Sequence, residues 1–274
     1  NVWRADRPQK GRFREFYQCD ADVIGSKSLL NEIELIQLCD DIFTSLNIPN
    51  IQILINNRKI LAAMIELMSA SEYFDQFVII LDKIDKIGVE NVKKELIKLG
   101  LDIKKINLLD KFLNIKNIND ISILVNQNEL GKKGIEELDF ILKSIDSLEL
   151  KSSELKFNIS LARGLDYYTG SIFEVKSSDV NIGSIAGGGR YDDLTSIFGL
   201  KDVSGVGISF GIDRIYLVME ELGLFPKDID ISSKVLFLNF GELEAKYCFK
   251  YLKELRNNNI SSELYPNCLL YTSD

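Results

Sequence analysis

Apolar and polar positions change rhythm along the chain, and each change predicts an element. From Phe16 onward one parity collects Phe16, Gln18, Asp20 and Asp22, and the other Tyr17, Cys19, Ala21 and Val23. That period of two predicts a strand with one polar and one apolar face. The residues before it read as a strand and a loop punctuated by Pro8 and Gly11, so the chain starts as strand, loop, strand. Residues 28–46 take helical spacing through Leu29, Ile33, Ile36 and Phe43. Glu32 and Glu34 fall early in that helix, where acids suit its dipole, and Pro49 ends it. Ile51, Ile53 and Ile55 then alternate as a strand, and Asn56-Asn57 turns the chain into a helix at Arg58.

From about residue 61 to 150 the texture becomes Lys-, Ile-, Leu- and Asn-rich, without proline and with few glycines. Ile84/Ile87, Leu96/Leu99 and Leu138/Ile141/Leu142/Ile145 have helical spacing, the mark of a helical insert whose basic residues are most simply a solvated face. Alternation returns at Phe157, Ile159 and Leu161 and resumes at Ile172-Phe173-Glu174-Val175, which predicts a hairpin around Arg163. Three consecutive glycines, Gly187 to Gly189, leave room for another group against the backbone and expose N–H donors, although glycine-rich turns are abundant. Residues 205–211 form a glycine-bearing strand running into a helix over 212–222, closed by Gly223. Strand 235–239, helix 242–255 and strand 260–265 open a small α/β unit that the chain does not finish. The expected divisions are 1–60 and 151–226 as two parts of one core, 61–150 as the insert, and 233–274 as the truncated α/β unit.

Composition narrows the class. With 274 residues, 46% hydrophobic and 27% charged, the chain can bury a core spread over about two or three domains. A net charge of −8 argues against a generally basic nucleic-acid binder. The stripe Arg4, Arg7, Lys10, Arg12 and Arg14 can still dominate the field over a cleft. Four scattered cysteines and no histidine predict no zinc site and a reducing, cytoplasmic compartment. They also remove imidazole bases and Ser-His or Cys-His catalysis. No run of about 18 apolar residues is present, so no membrane span is expected. The chain has no initiator Met and opens inside a strand, the reading of a fragment.

Candidate chemistry concentrates in a few stretches. Arg163, Asp166, Tyr167 and Tyr168 lie between Gly164 and Gly170 or beside them: a planar fork for carboxylate or phosphate and two ring walls with hydroxyl tips. The simplest alternative is a hairpin with two half-buried tyrosines. The polar face of Gln18, Asp20 and Asp22 suits the open side of a sheet above a cleft; a solvated strand face reads equally from that pattern. Arg214 stands in the first turn of its helix, where a cation opposes the dipole, so a ligand or a neighbouring aromatic would account for it.

Taken in order, these segments resemble the histidyl-tRNA synthetases, a family of class II aminoacyl-tRNA synthetases. The Arg4–Gln18 stretch looks like motif 2, RGLDYYTG and AGGGRYD like the two histidine-specific signatures, and SGVGISFGIDR like motif 3. The resemblance covers nearly the whole chain, weakly in the insert and not after about Pro266. It implies an α+β fold: the class II antiparallel sheet flanked by helices, a helical insertion, and the start of an α/β anticodon-binding domain. The activity it implies is ATP-dependent activation of L-histidine to histidyl-adenylate, with Mg²⁺, followed by transfer to the 3′ end of tRNA(His) by a homodimer. By the same resemblance Arg4 grips the ATP α-phosphate and Arg12 lies near the distal phosphates. Phe16 and Arg214 sandwich adenine. Gln18, Asp22, Tyr167 and Tyr168 hold the histidine, Arg163 reaches its carboxylate and the α-phosphate, and Gln9 approaches the tRNA acceptor end. Asp6 departs from the expected glutamate, and motif 1 and the upstream amino-group loop are absent. Two other readings share the fold: a catalytically silent regulatory subunit of histidine biosynthesis and an RNA-sensing module of a larger kinase. The joint presence of Arg4, Arg12, Phe16, Arg163 and Arg214 argues against both.

Overall fold

The computed structural model describes residues 1–5, 7–115, 117–162, 167–226 and 233–267. They divide into two compact units, Asn1–Leu224 and Phe225–Asp274.

In the first unit, β1 (Val2–Trp3) pairs antiparallel with β2 (Glu15–Phe16), and β3 (Gln18–Ile24) continues the chain into the main sheet. The main sheet also takes β4 (Ile51–Asn57), β5 (Ser153–Phe157), β6 (Ser171–Ser177), β7 (Ser184–Tyr191) and β8 (Gly205–Gly211). Among the described residues its order is β3-β8-β7-β6-β4-β5. Every pair is antiparallel except β4 with β5. Parallel neighbours need a long crossover, and the helical stretch between β4 and β5 is that crossover.

The expected hairpin around Arg163 is therefore corrected. β5 and β6 lie on opposite sides of β4, with Ile55 facing Phe157 on one side and Phe173 on the other. The strand also stops at Phe157 rather than running to Leu161. Ile159 and Leu161 are buried nonetheless, so their apolar spacing reflects irregular backbone packed against the core. The glycine triplet does lie where neighbouring groups approach the backbone closely. Gly187, Gly188 and Gly189 lie inside β7, where they pair with β6 and β8 rather than forming a turn.

Helices cover the sheet. α1 (Leu30–Ser45) buries Ile33, Ile36 and Phe43. α2 (Arg58–Leu67) starts directly at the end of β4, and the Asn57 side chain caps it by accepting from the Lys59 amide. There follow α3 (Phe74–Leu81), α4 (Ile84–Ile87), α5 (Val89–Lys98), α6 (Ile103–Leu113), α7 (Ile118–Val125) and α8 (Glu129–Asp146). α8 lies close against α2 because Gly131 and Gly134 present no side chain there. A Cβ on Gly131 would come within 2.8 Å of Ala63, and one on Gly134 within 2.9 Å of Ile60. The buried residues of these helices share one core with β4 and β6. α9 (Ile212–Glu221) follows β8 without a break.

The second unit holds a parallel pair, β9 (Val235–Phe237) and β10 (Ser262–Leu264), joined through α10 (Glu242–Asn257). No helix among the described residues is long and apolar enough to cross a membrane.

Candidate active site

Pairing register builds the site. Asp22 faces Gly207, which faces Gly189; Asp20 faces Ser209, which faces Gly187; Tyr191 faces Gly205. Cross-strand partners share a face, so this side of the sheet carries Asp20, Asp22 and Tyr191 around a floor largely of glycine. Each missing side chain makes room for a particular neighbour. A Cβ on Gly207 would lie 1.8 Å from Asp22 Oδ1, one on Gly205 2.2 Å from the Tyr191 ring, and one on Gly189 2.8 Å from the Tyr168 ring.

The result is a cavity of about 170 Å³ reached by Gln18, Asp20, Asp22, Tyr167, Tyr168 and Tyr191. That is small beside the clefts that take drug-sized ligands and suits a molecule of amino-acid size. Tyr168 is buried and Tyr167 is 38% exposed. Their ring centroids lie 4.6 Å apart, and Tyr167 meets Tyr191 edge-on at 6.3 Å. The Tyr191 hydroxyl donates to Asp22 Oδ1 at 2.6 Å. Burial first, and then this bond to a carboxylate, push the Tyr191 phenol well above its ordinary range. Tyr191 thus stays a donor, and Asp22 presents its second oxygen to other groups.

Behind the cavity, Arg190 is nearly fully buried against Glu32 of α1. Its Nε donates to Oε1 and its Nη2 to Oε2, both at 2.5 Å, in a bidentate pair. Arg190 Nη1 also donates to Ser204 Oγ at 2.6 Å and to the Ser26 carbonyl, and Nη2 to the Ser28 carbonyl. Glu32 therefore does more than complement the helix dipole: it ties α1 to the strand that carries Tyr191. The next residue, Asp192, accepts from Ser204 Oγ and from Thr169 Oγ1, each at 2.6 Å. Burial raises the Asp192 pKa, but those two hydroxyls and the Arg190 charge outweigh it and hold the carboxyl below its usual range.

The basic stretch before β3 folds back on itself. Gln9 and Arg12 form a backbone bridge, and the Arg4 amide donates to the Arg14 carbonyl. Arg214 anchors the tip, donating from Nε to the Gly11 carbonyl at 2.6 Å and from Nη1 to the Ser184 carbonyl at 2.5 Å. Lys10 adds a surface ion pair with Glu221. Arg4 lies over the Phe16 ring at 4.9 Å and donates to Gln18 Oε1 at 3.0 Å, while Gln18 donates to Asp20 Oδ1. Arg4, Phe16 and Gln18 are thus brought together, with Gln18 and Asp22 in the cavity beside Tyr167 and Tyr168. Gln9 and Arg12 lie along the folded basic stretch, and Arg214 of α9 holds its tip. Arg163 and Asp6 fall outside the described residues.

Sequence reasoning placed Asp20 on the polar cleft face without giving it a role, and passed over Tyr191 and the Glu32–Arg190 pair as site residues. Tyr191 and Arg190 stand in the AGGGRYD signature itself, and Asp20 shares the parity of Gln18 and Asp22, so the signal was present. Nothing local ties Glu32 to Arg190.

The histidyl-tRNA synthetase family model matches residues 1–215. The chain is 54% identical to a histidine–tRNA ligase of Flavobacterium johnsoniae, over 97% of this chain and 57% of that relative. It is 48% identical to one of Phocaeicola vulgatus, over 97% of this chain and 59% of the relative. Among solved structures, histidyl-tRNA synthetase from Nostoc sp. PCC 7120 superposes with a TM-score of 0.72 at 27% identity, covering 93% of this chain and 62% of that one. An ATP phosphoribosyltransferase regulatory subunit/histidyl-tRNA synthetase from Bacillus halodurans shares the fold with a TM-score of 0.66 at 22% identity, covering all of this chain and 67% of that one. The chain spans less than two thirds of the length of these curated relatives. With the family model matched over more than half its length, the chain belongs to the histidyl-tRNA synthetase family.

Proposed function

We propose that the protein activates L-histidine with ATP to histidyl-adenylate and transfers the histidyl group to the 3′ end of tRNA(His). The observation that carries this reading is the cavity whose carboxylate, Asp22, spends one oxygen on Tyr191 and keeps the other for a ligand. An ionised carboxylate only accepts, so it selects a ring nitrogen that bears a proton. Tyr168 can donate or accept and serves the second nitrogen, and Tyr167 completes the wall. Gln18 reaches the same molecule. An analogue lacking one nitrogen would cover a polar group of the cavity without pairing it, which is a large penalty.

The substrate carboxylate attacks the ATP α-phosphorus, the bond to the bridging oxygen breaks, and pyrophosphate leaves. A tRNA ribose hydroxyl then displaces AMP from the adenylate. No enzyme nucleophile is needed, because alignment and charge stabilisation supply most of the acceleration. Arg4 and Arg163 would stabilise the α-phosphate, Arg12 would meet the distal phosphates, Phe16 and Arg214 would hold the adenine, and Gln9 would lie toward the acceptor end. Mg²⁺ would arrive with the nucleotide, as part of that substrate. Homodimer formation by the full-length protein belongs to the same reading, as does a helical insertion over 61–150 within the catalytic core.

The test is histidine-dependent ATP–pyrophosphate exchange by the full-length protein, expected to require histidine and ATP together. Arg163→Ala is expected to slow adenylate formation by ~10²–10³. Exchange indifferent to histidine would overturn the reading.

A further inference from the structure

The junction of β4 and α2 carries two buried polar side chains that the proposed chemistry does not use. Asn56 is fully buried in a strand otherwise rich in isoleucine, and Arg58, the first residue of α2, is nearly so. Both point their donors at the irregular backbone that follows β5. Asn56 Nδ2 donates to the carbonyls of Ile159 at 3.0 Å and Leu161 at 2.9 Å, spending both amide hydrogens. Arg58 Nη1 donates to the Ala162 carbonyl at 3.4 Å, and the Arg58 amide to the Gly170 carbonyl at 2.8 Å. The guanidinium is itself set by the Phe74 ring at the start of α3, 4.8 Å from its centre.

Buried carbonyls outside a sheet ladder must find donors elsewhere. Here one short motif supplies them at 159–162 and again at Gly170, just after Tyr167 and Tyr168. An apolar side chain at position 56 would pack the strand equally well but leave two carbonyls unpaired. We propose that Asn56 and Arg58 are positioning residues: they hold the backbone at 159–162 and at Gly170 and thereby seat the tyrosine wall of the histidine cavity, with Phe74 linking the helical stretch to that wall.

The kinetic part rests on the function proposed above, so the test has two arms, both on the full-length protein. Asn56→Asp keeps the volume and removes both donors. It is expected to lower kcat/KM for histidine in pyrophosphate exchange by ~10–10², as misplacement of a substrate-positioning group does. The KM for ATP should stay within about twofold, since the change leaves the nucleotide contacts alone. Arg58→Ala should act in the same direction, with Arg58→Lys recovering part of the loss because it restores a donor but not the planar stack. In a Tyr168→Phe background Asn56→Asp should add little, because both act on the same contact. The second arm needs no activity. Amide hydrogen exchange should quicken at Leu161 and Thr169 in Asn56→Asp while Ile53 in β4 keeps its wild-type protection. If the wild type shows no histidine-dependent exchange of pyrophosphate, the function fails and this arm alone decides the positioning role. Unchanged amide protection at Leu161 and Thr169, equal loss at Ile53, or full additivity with Tyr168→Phe would overturn it.

Discussion

The two ends of the main sheet are built on opposite rules. At the β4–β6 end Ile51, Ile53, Ile55, Ile172 and Val175 are buried almost completely, and the volume between sheet and helices is filled by side chains. At the β7–β8–β3 end the face carrying Asp22 is floored by Gly187, Gly189, Gly205 and Gly207, and the volume is left for something else. One end gains its stability from close packing. The other forgoes that gain to keep a polar cavity and needs support from behind. The support is an apolar layer of Val206, Ile208 and Phe210 together with the buried ion pair of Glu32 and Arg190.

The sharpest way to break this contrast is to remove that ion pair. Glu32→Ala strips the carboxylate from a buried guanidinium, leaving Ser204 Oγ and two carbonyls as its partners. Removing one member of a buried pair costs about 3–5 kcal/mol, and we expect a loss of that size in denaturant unfolding. A change below about 1 kcal/mol, the ordinary value of an exposed pair, would show that the pair is solvated in solution.

The filled end was the more legible in the sequence, and the reason is physical. Packing against helices imposes the period-two spacing of Ile51, Ile53 and Ile55 and the helical spacing of α1 and α8, and both periods are local. Strand partners are not. The hairpin expected around Arg163 failed because β4 enters between β5 and β6 from a hundred residues upstream in the pairing of Ile55 with Phe157 and Phe173. At the open end the polar parity of Gln18, Asp20 and Asp22 was plain, and so were Tyr167 and Tyr168. That the glycine triplet leaves room against the backbone was legible too, but not for which groups. Only the register reveals that Gly205, Gly207 and Gly189 clear space for Tyr191, Asp22 and Tyr168.

A pair of glycine substitutions separates structural close approach from site-making. A Cβ on Gly188 would lie 1.9 Å from the Gly207 carbonyl and 2.7 Å from Ile208 Cα, so backbone must move. Gly188→Ala is expected to cost about 1–3 kcal/mol in denaturant unfolding, the range for overpacking. A Cβ on Gly207 would lie 1.8 Å from Asp22 Oδ1, and its nearest backbone atom, the Ala21 carbonyl, 3.2 Å away. The Asp22 side chain can swing. Gly207→Ala should therefore spare most of the stability and raise the histidine KM by at least ~10-fold, the effect of losing a charge-assisted hydrogen bond. Equal stability losses for the two variants would mean that the open end is as tightly coupled as the filled one.

The smallest effect concerns acid, and it isolates the charge that the open end retains. Asp192 is held below the usual aspartate range because the hydrogen bonds from Ser204 and Thr169 and the Arg190 charge outweigh its burial. A group whose folded pKa is depressed binds fewer protons folded than unfolded at mildly acidic pH. Its contribution is therefore complete above the ordinary aspartate value and lost as pH falls toward the lower folded value. Asp192→Asn keeps the side-chain shape and one carbonyl acceptor but carries no charge. The wild type minus variant stability difference should be constant near neutrality and shrink as the pH drops below the ordinary aspartate value. A carboxylate packed by apolar neighbours alone would show the reverse, since burial raises its pKa and its protonated form would stabilise the fold in acid. Measuring unfolding of both proteins across that acid window decides which rule governs the open end. A difference that stays flat through the window would mean that the hydroxyls of Ser204 and Thr169 contribute as neutral partners, and that the Asp192 charge adds nothing to the support behind the cavity.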